Sequence, residues 1–533
     1  MSATDDLYRS YLDLRWNFDP SSATASGETR DDGRLGAFDP EAMRAHIAAF
    51  RAMAGAVESL EVDDTQEEID RTAFLDEIRI TVFRFEKEQP HVHNPGFWLN
   101  HYYQSLHGLL RRPAVPGTQR AEAILARLKA TPAFFESARG TLKDPPRVFI
   151  GTASAMVESG RALPQAATEL AAAEAPDLAP ELELACEDAE SALHRFGLAL
   201  GAELHAHPDD QSFAIGEEQF NRRLHHEHAL QATAPELYRY GLHLVEEVAA
   251  EVAALAREVD PSAPWRSVVD RLRADHPVDR DPLRAFRNEM ERARAYVASR
   301  GLVPIPEAPL EVVETPSFLR PLVPFAAYDP PGALSADRTG RFYVTAPNHG
   351  GAPLHDPCEL ELAATAIHEG FPGHHLQIVT AQSSPSLVRR MTATPVTVEG
   401  WALYCEELMA EEAYFRSPAE RLFQRLHLLW RALRIVLDIG LHTRGLTPER
   451  AADQMVDILA MDRRKAEAEV SRYCAWPSYQ LCYAVGRREL LQLRADYRDR
   501  EGAGFSLRGF HDEVLAYGGL PVSLIRWGMG LGE

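Results

Sequence analysis

The run His368-Glu369-Gly370-Phe371-Pro372-Gly373-His374-His375 places the hardest constraint on how this chain can fold. The preceding stretch, Cys358 to Ile367, is short, apolar and alanine-rich, and reads as a buried helix. Pro372 has no N–H to donate, and its ring collides with the carbonyl four residues back, at His368. Gly370 and Gly373 allow dihedrals that other residues avoid. A straight helix therefore cannot run from His368 through His375.

That matters because His-Glu on a helix, followed by a second His, is how many zinc hydrolases are built. Two imidazoles hold the metal and the Glu activates a water. The usual spacing is four residues, which puts both ligands on one helix face. Here His374 follows His368 by six residues and His375 follows it by seven. On a regular helix the sixth residue points away. The seventh faces correctly but lies about 10 Å further along the axis, too far to share an ion held at about 2.0–2.1 Å. A bulge absorbing two extra residues would return His374 to the ligand position. A third ligand is then needed, and a carboxylate is common. Glu399, 25 residues after His374, lies in Val398-Glu-Gly-Trp-Ala-Leu-Tyr-Cys-Glu406. Glu406 falls two helical turns beyond Glu399 on the same face, placed to hydrogen-bond a ligand histidine.

HEGFPGHHLQ followed by VEGWALYCE resembles the bacterial DUF885 family, with its H-E-G-x-P-G-H-H and E-G-W-A-x-Y signatures. In outline that family is similar to gluzincin metallopeptidases of the thimet oligopeptidase type. The resemblance implies a mainly α, two-lobed fold with a small β-sheet beside the active-site helix. It implies zinc held by His368, His374 and Glu399, with Glu369 as the base. It favours His374 over His375 as ligand, because Glu399 then stands at the matching offset. His375 is left to bind substrate or the oxyanion. Late in the chain, Tyr473 to Arg487 resembles a segment reading P-G-Q-x-x-x-Y-x-x-G in DUF885. Pro477, Tyr483 and Gly486 are kept, while Ser478-Tyr479 replaces Gly-Gln. By analogy with thimet-type enzymes, Tyr483 is the candidate oxyanion donor and Tyr479 its substitute, with Tyr479 and Arg487 among the candidate substrate contacts.

The remaining sequence divides into three parts: a helical N-terminal lobe over 1–300, a proline-rich segment over 301–357, and a helical metal-binding lobe over 358–533. Capping boxes open helices at Thr233-Ala-Pro-Glu236 and Ser417-Pro-Ala-Glu420. Residues 18–36 are small and polar, and read as a mobile loop. Eleven of the 36 prolines fall between Leu302 and Pro357, which excludes long helices there. Two strand-like runs appear, Leu310 to Glu314 and Arg341 to Thr345. The second leads to the His-Glu helix through Pro347 to Gly351. Phe342, Tyr343 and Val344 are therefore the candidate edge strand for an extended substrate. Leu224-His-His-Glu-His228 and Pro90-His-Val-His93 look like metal clusters but lack a third ligand in register. The first reads as a solvated helix face.

The net charge of −23 argues against a nucleic-acid partner, since phosphate contacts need clustered Lys and Arg. Five cysteines without a Cys-x-x-Cys read as reduced thiols. No signal peptide and no membrane span is expected, which points to the cytoplasm. The expected activity is zinc-dependent hydrolysis of amide bonds in short peptides. The alternatives are a zinc amidase or lyase acting on a non-peptide C–N bond, and a non-catalytic scaffold.

Overall fold

A computed structural model describes residues 2–111, 115–206, 212–278, 281–316, 320, 323, 326–345 and 358–532. The fold is mainly helical, with one small sheet. A proline-rich chain can be so helical because its prolines stand at helix starts, where the missing N–H costs nothing. Pro40, Pro95, Pro282, Pro395, Pro418 and Pro448 all open helices. Asp39, Asn94, Asp281, Ser417 and Thr447 precede them and accept first-turn N–H groups. Thr233 and Glu236 form the expected reciprocal box. At Ser417 only half of one forms, since Glu420 instead accepts from the Arg416 N–H.

The expected loop at 18–36 is corrected. Asp19 caps a short helix, Pro20–Ser26, and Thr24 is buried against Asp32 at 2.8 Å. The buried Arg127 guanidinium donates to Thr24 Oγ1 and to the Arg34 carbonyl. Small polar residues here are interior hydrogen-bonding partners.

The largest apolar cluster contains Tyr8, Phe74 and Trp98 together with Ile367, Trp401, Tyr404 and Ile525. A second cluster joins Leu237, Leu244 and Val252 of helix Ala234–Val259 to Leu429, Ile435 and Ile439 of helix Pro418–Thr443. Both cores therefore draw on residues from either side of position 300.

The sheet has three strands: β1 (Leu310–Glu314), β2 (Ala326–Asp329) and β3 (Gly340–Val344). β3 is central, parallel to β1 with Val312 opposite Phe342 and antiparallel to β2 with Tyr328 opposite Phe342. This corrects the substrate-strand expectation. Phe342, Tyr343 and Val344 are buried and both their edges are already paired, so no peptide can add there. Phe342 instead packs on Phe286, with ring centroids 5.0 Å apart. The Pro347 to Gly351 turn lies outside the described residues. Among the described residues no helix is long and apolar enough to cross a membrane. All five cysteines are free and buried.

Candidate metal centre

The His-Glu helix, Leu362–Glu369, ends at Gly370 with φ −109° and ψ −95°. Gly370 and Phe371 both donate their N–H to the Ala366 carbonyl, at 3.0 and 3.2 Å. A cis Phe371–Pro372 bond follows, and His374 opens a new helix, His374–Ala381. The expected bulge in one continuous helix is thus corrected to a full break between two helices. The turn folds back closely enough that the Gly373 N–H reaches the Ile367 carbonyl at 3.0 Å. A Cβ on Gly373 would overlap the carbonyl oxygens of His368 and Ile367, so only glycine fits. Helix Pro395–Glu411 clamps this turn from outside. Its Trp401 indole donates to the Pro372 carbonyl at 2.9 Å, and the Cys405 thiol at 3.5 Å.

The break brings His374 beside His368, their rings 4.7 Å apart and nearly perpendicular. Glu399 Oε2 lies 3.6 Å from His368 Nε2 and 3.3 Å from His374 Nε2. One ligand atom from each of these three residues falls within 4.8 Å of the others, and all three residues are buried. A charge-assisted N–H···O bond closes to about 2.7–2.9 Å, and these separations are wider. They match atoms arranged tetrahedrally about an ion at about 2.0–2.1 Å, which stand roughly 3.3–3.5 Å apart. The opposite ring nitrogen, His374 Nδ1, is buried with no hydrogen-bond partner among the described residues. The donor set fits zinc.

His368 Nδ1 donates to Glu406 Oε1 at 2.9 Å, which turns its Nε2 towards Glu399. Burial alone would lower the His368 pKa, but the carboxylates of Glu399 and Glu406 outweigh it and raise it to about 9. Burial would raise Glu399, yet His368 and His374 hold it well below the usual carboxylate range. Each group is thus kept in the core by its partners.

The chain before helix Cys482–Glu501 completes the surroundings. Tyr479 donates to the other Glu399 oxygen, Oε1, at 2.6 Å. The Tyr483 ring stacks beside His368 at 6.4 Å, and Arg434 and Arg431 approach its face at 4.8 and 5.8 Å. Buried Asp438 sets the Tyr479 loop by accepting the backbone N–H groups of Ser478, Gln480 and Leu481. Buried His228 pairs with the Ser478 hydroxyl at 3.1 Å. Gly400 and Gly486 press backbone to backbone, which lets helix Cys482–Glu501 pack closely on helix Pro395–Glu411.

The family model described as a bacterial protein of unknown function (DUF885) matches residues 20–529. The chain belongs to the DUF885 family. Two solved structures share the fold over nearly all of both chains. One is a candidate lipoprotein of unknown function from Shewanella oneidensis (TM-score 0.82, 23% identity, 99% of this chain and 100% of that one). The other is a candidate lipoprotein from Colwellia psychrerythraea (TM-score 0.84, 18% identity, 99% and 98%). No curated protein matches the chain.

The DUF885 signatures thereby acquire physical roles. His368, His374 and Glu399 converge, Glu406 supports His368, Gly373 permits the turn and Trp401 anchors it. Glu369 is half-buried, forms no hydrogen bond with any described residue, and acts on His368 through its charge. His375 does not join the cluster. It is fully buried, with Nδ1 3.0 Å from the Tyr328 hydroxyl and Nε2 3.1 Å from the Ala308 carbonyl. Both ring nitrogens are engaged, so it tethers the second helix to β2. Arg487 is bound to Glu407 at 3.0 Å. The His225–His228 face is corrected in part: His225 is exposed, but Arg223 and His228 are buried. Sequence reasoning missed Arg431, Arg434 and Asp438. Their signal was a polar stripe at positions i, i+3 and i+7 inside the otherwise apolar run Leu428 to Leu441 of helix Pro418–Thr443.

Proposed function

We propose that this DUF885 protein is a zinc-dependent hydrolase that cleaves amide bonds of short peptides with an activated water. The observation that carries this reading is the convergence of His368, His374 and Glu399 at tetrahedral ligand spacing, with Glu406 fixing the His368 tautomer. The gluzincin likeness belongs to the same reading: helix-borne His and Glu, with the carboxylate ligand on a following helix. Zinc held there would supply a Lewis acid that acidifies water and polarises a carbonyl.

The chain's own groups divide the remaining work. Glu369, with no hydrogen-bond partner among the described residues, takes a proton from the attacking water and passes it to the leaving nitrogen. Tyr483, flanked by Arg431 and Arg434, offers its hydroxyl to the developing oxyanion. Tyr479 holds Glu399 Oε1 and leaves Oε2 to face the histidines. Digestion of a mixed pool of short peptides tests the reading. The wild-type protein should cleave it, and Glu369→Gln should abolish turnover while keeping its zinc. Undiminished turnover in Glu369→Gln would remove Glu369 from the base role.

A further inference from the structure

Two aromatic rings beside the metal cluster gather cations that the fold does not fully neutralise. Arg434, Lys465 and Arg431 lie 4.5, 5.1 and 5.4 Å from the centre of the Trp430 ring. Lys465 reaches that ring from helix Arg463–Ala475, while the other three residues belong to helix Pro418–Thr443. Arg434 and Arg431 also approach Tyr483, whose ring stacks beside His368. All these contacts fall within the roughly 6 Å at which a ring face attracts a cation. A ring holds a cation in place without cancelling its charge. In a chain of net charge −23 such a gathering is a local exception.

The three cations differ in what else they touch. Arg434 is buried and engaged within the fold, donating to the Tyr473 hydroxyl at 2.9 Å and pairing with Glu469 at 3.3 Å. Lys465 is half-buried, and its ammonium makes no hydrogen bond or ion pair with any described residue. Arg431 is half-buried too. Its guanidinium donates only to the His427 carbonyl, at 3.3 Å, and its buried Nε has no hydrogen-bond partner among the described residues. The carboxylates whose charge reaches Arg431 are Glu406 and Glu399. Neither forms an ion pair with it, and both already serve the histidines and Tyr479. Those whose charge reaches Lys465 are also taken, Glu361 by Arg273 at 3.5 Å and Glu469 by Arg472 at 2.6 Å. Burial is the main influence on Arg431 and Lys465 and lowers the pKa of both, as expected of enclosed cations short of counter-charge. A guanidinium with open donors is shaped to take a carboxylate through two parallel hydrogen bonds. The reach is also suitable. Tyr483 stands 6.4 Å from His368 and 5.8 Å from Arg431, and an extended residue spans about 3.3–3.6 Å. A peptide bond at the cluster can therefore place a carboxylate on Arg431 within three residues.

We propose that Arg431, backed by Lys465, is an anion-binding subsite of the metal site, holding a carboxylate of a short peptide beside the bond to be cut. The proposal rests on the hydrolase reading for the chemistry, but the binding can be measured apart from it. The probes are acetyl-Ala-Ala-Phe, its C-terminal amide, and the amide of acetyl-Ala-Asp-Phe. Each is titrated calorimetrically into full-length, zinc-loaded Glu369→Gln protein. A carboxylate-bearing peptide should bind about tenfold to a hundredfold more tightly than the neutral amide. A preference for the free acid assigns the C-terminal carboxylate, and a preference for the aspartyl amide assigns an acidic side chain. Adding Arg431→Met should erase the preference, Arg431→Lys should restore part of it, and Lys465→Met should reduce it, all with zinc content unchanged. Equal binding of the three peptides, a preference that survives Arg431→Met, or no binding at millimolar concentration would overturn the proposal. Should Arg431→Met fail to fold or to hold zinc, Arg431→Lys and Lys465→Met decide, and a preference untouched by both would overturn it. If the Arg431-dependent preference appears but the wild-type protein cleaves no peptide, the hydrolase reading fails and the subsite stands. If peptides are cleaved with no Arg431 dependence, the reverse holds.

Discussion

Two short runs in this chain have nearly the same composition, three histidines and a glutamate, and the fold treats them oppositely. In His368 to His375 the helix breaks, His374 swings beside His368, and a carboxylate arrives from another helix. In His225 to His228 the helix ends without such a partner. There His225 is exposed, Glu227 pairs with Arg223, and His228 is buried between Thr394 and Ser478 at 3.2 and 3.1 Å. Local histidine density thus does not make a metal site. What brings metal-ligand side chains together in the first run is a backbone break that makes the imidazoles converge, with a carboxylate supplied by tertiary packing.

The sharpest way to break the comparison is at the turn. Gly373→Ala places a methyl group where the His368 and Ile367 carbonyls already stand. It should cost on the order of 4 kcal/mol of stability and abolish metal binding. Chemical denaturation and metal analysis check this, and a stable, metal-binding variant would show that the turn is not what aligns the histidines.

The second effect concerns histidines of the His228 kind, buried and neutral. His442 and His511 are pushed down by burial to about 4. Their folded pKa lies below the unfolded value of about 6.5. The stability they contribute is therefore fully present above pH 6.5 and is lost as pH falls towards 4. Each contributes roughly 3 kcal/mol at the outside. Melting of metal-free protein should fall steeply as pH drops from 6 to 4, and should also decline as pH rises from about 6.5 towards 9, where the folded state holds the His368 proton that the unfolded chain has lost. In that protein His368, raised to about 9, loses its stabilising charge only on the alkaline side and does not confuse the acid limb.

A smaller effect is expected at Glu406. Glu406→Gln leaves the ligands in place but weakens the acceptor that orients His368. Zinc affinity should fall about 10- to 100-fold, measured by competition with a chelator. An unchanged affinity would reduce Glu406 to a packing role.

How much of this could be read in advance depended on whether the signal was local. β1 was legible in full, because Leu310 to Glu314 is β-branched and bounded by proline. The link between Glu406 and His368 was legible because it follows from helical periodicity. β2 was not: Ala326–Asp329 is four residues long, half-buried throughout, and shows no alternation. Missing β2 made β3 look like an edge. His375 was also misjudged, since nothing local reveals the Ala308 carbonyl and Tyr328 hydroxyl that occupy its ring. The helix at Pro20–Ser26 was hidden by small polar residues whose partners, Asp32 and Arg127, lie elsewhere in the fold.

The central claim is that the broken helix and Glu399 together form a zinc site. Metal content per chain tests it most directly, on wild-type, Glu399→Ala and His225→Ala proteins purified without added metal and then offered zinc. The account predicts about one zinc in the wild type and in His225→Ala, and none in Glu399→Ala. Zinc retained by Glu399→Ala, or absent from the wild type after zinc is offered, would contradict it.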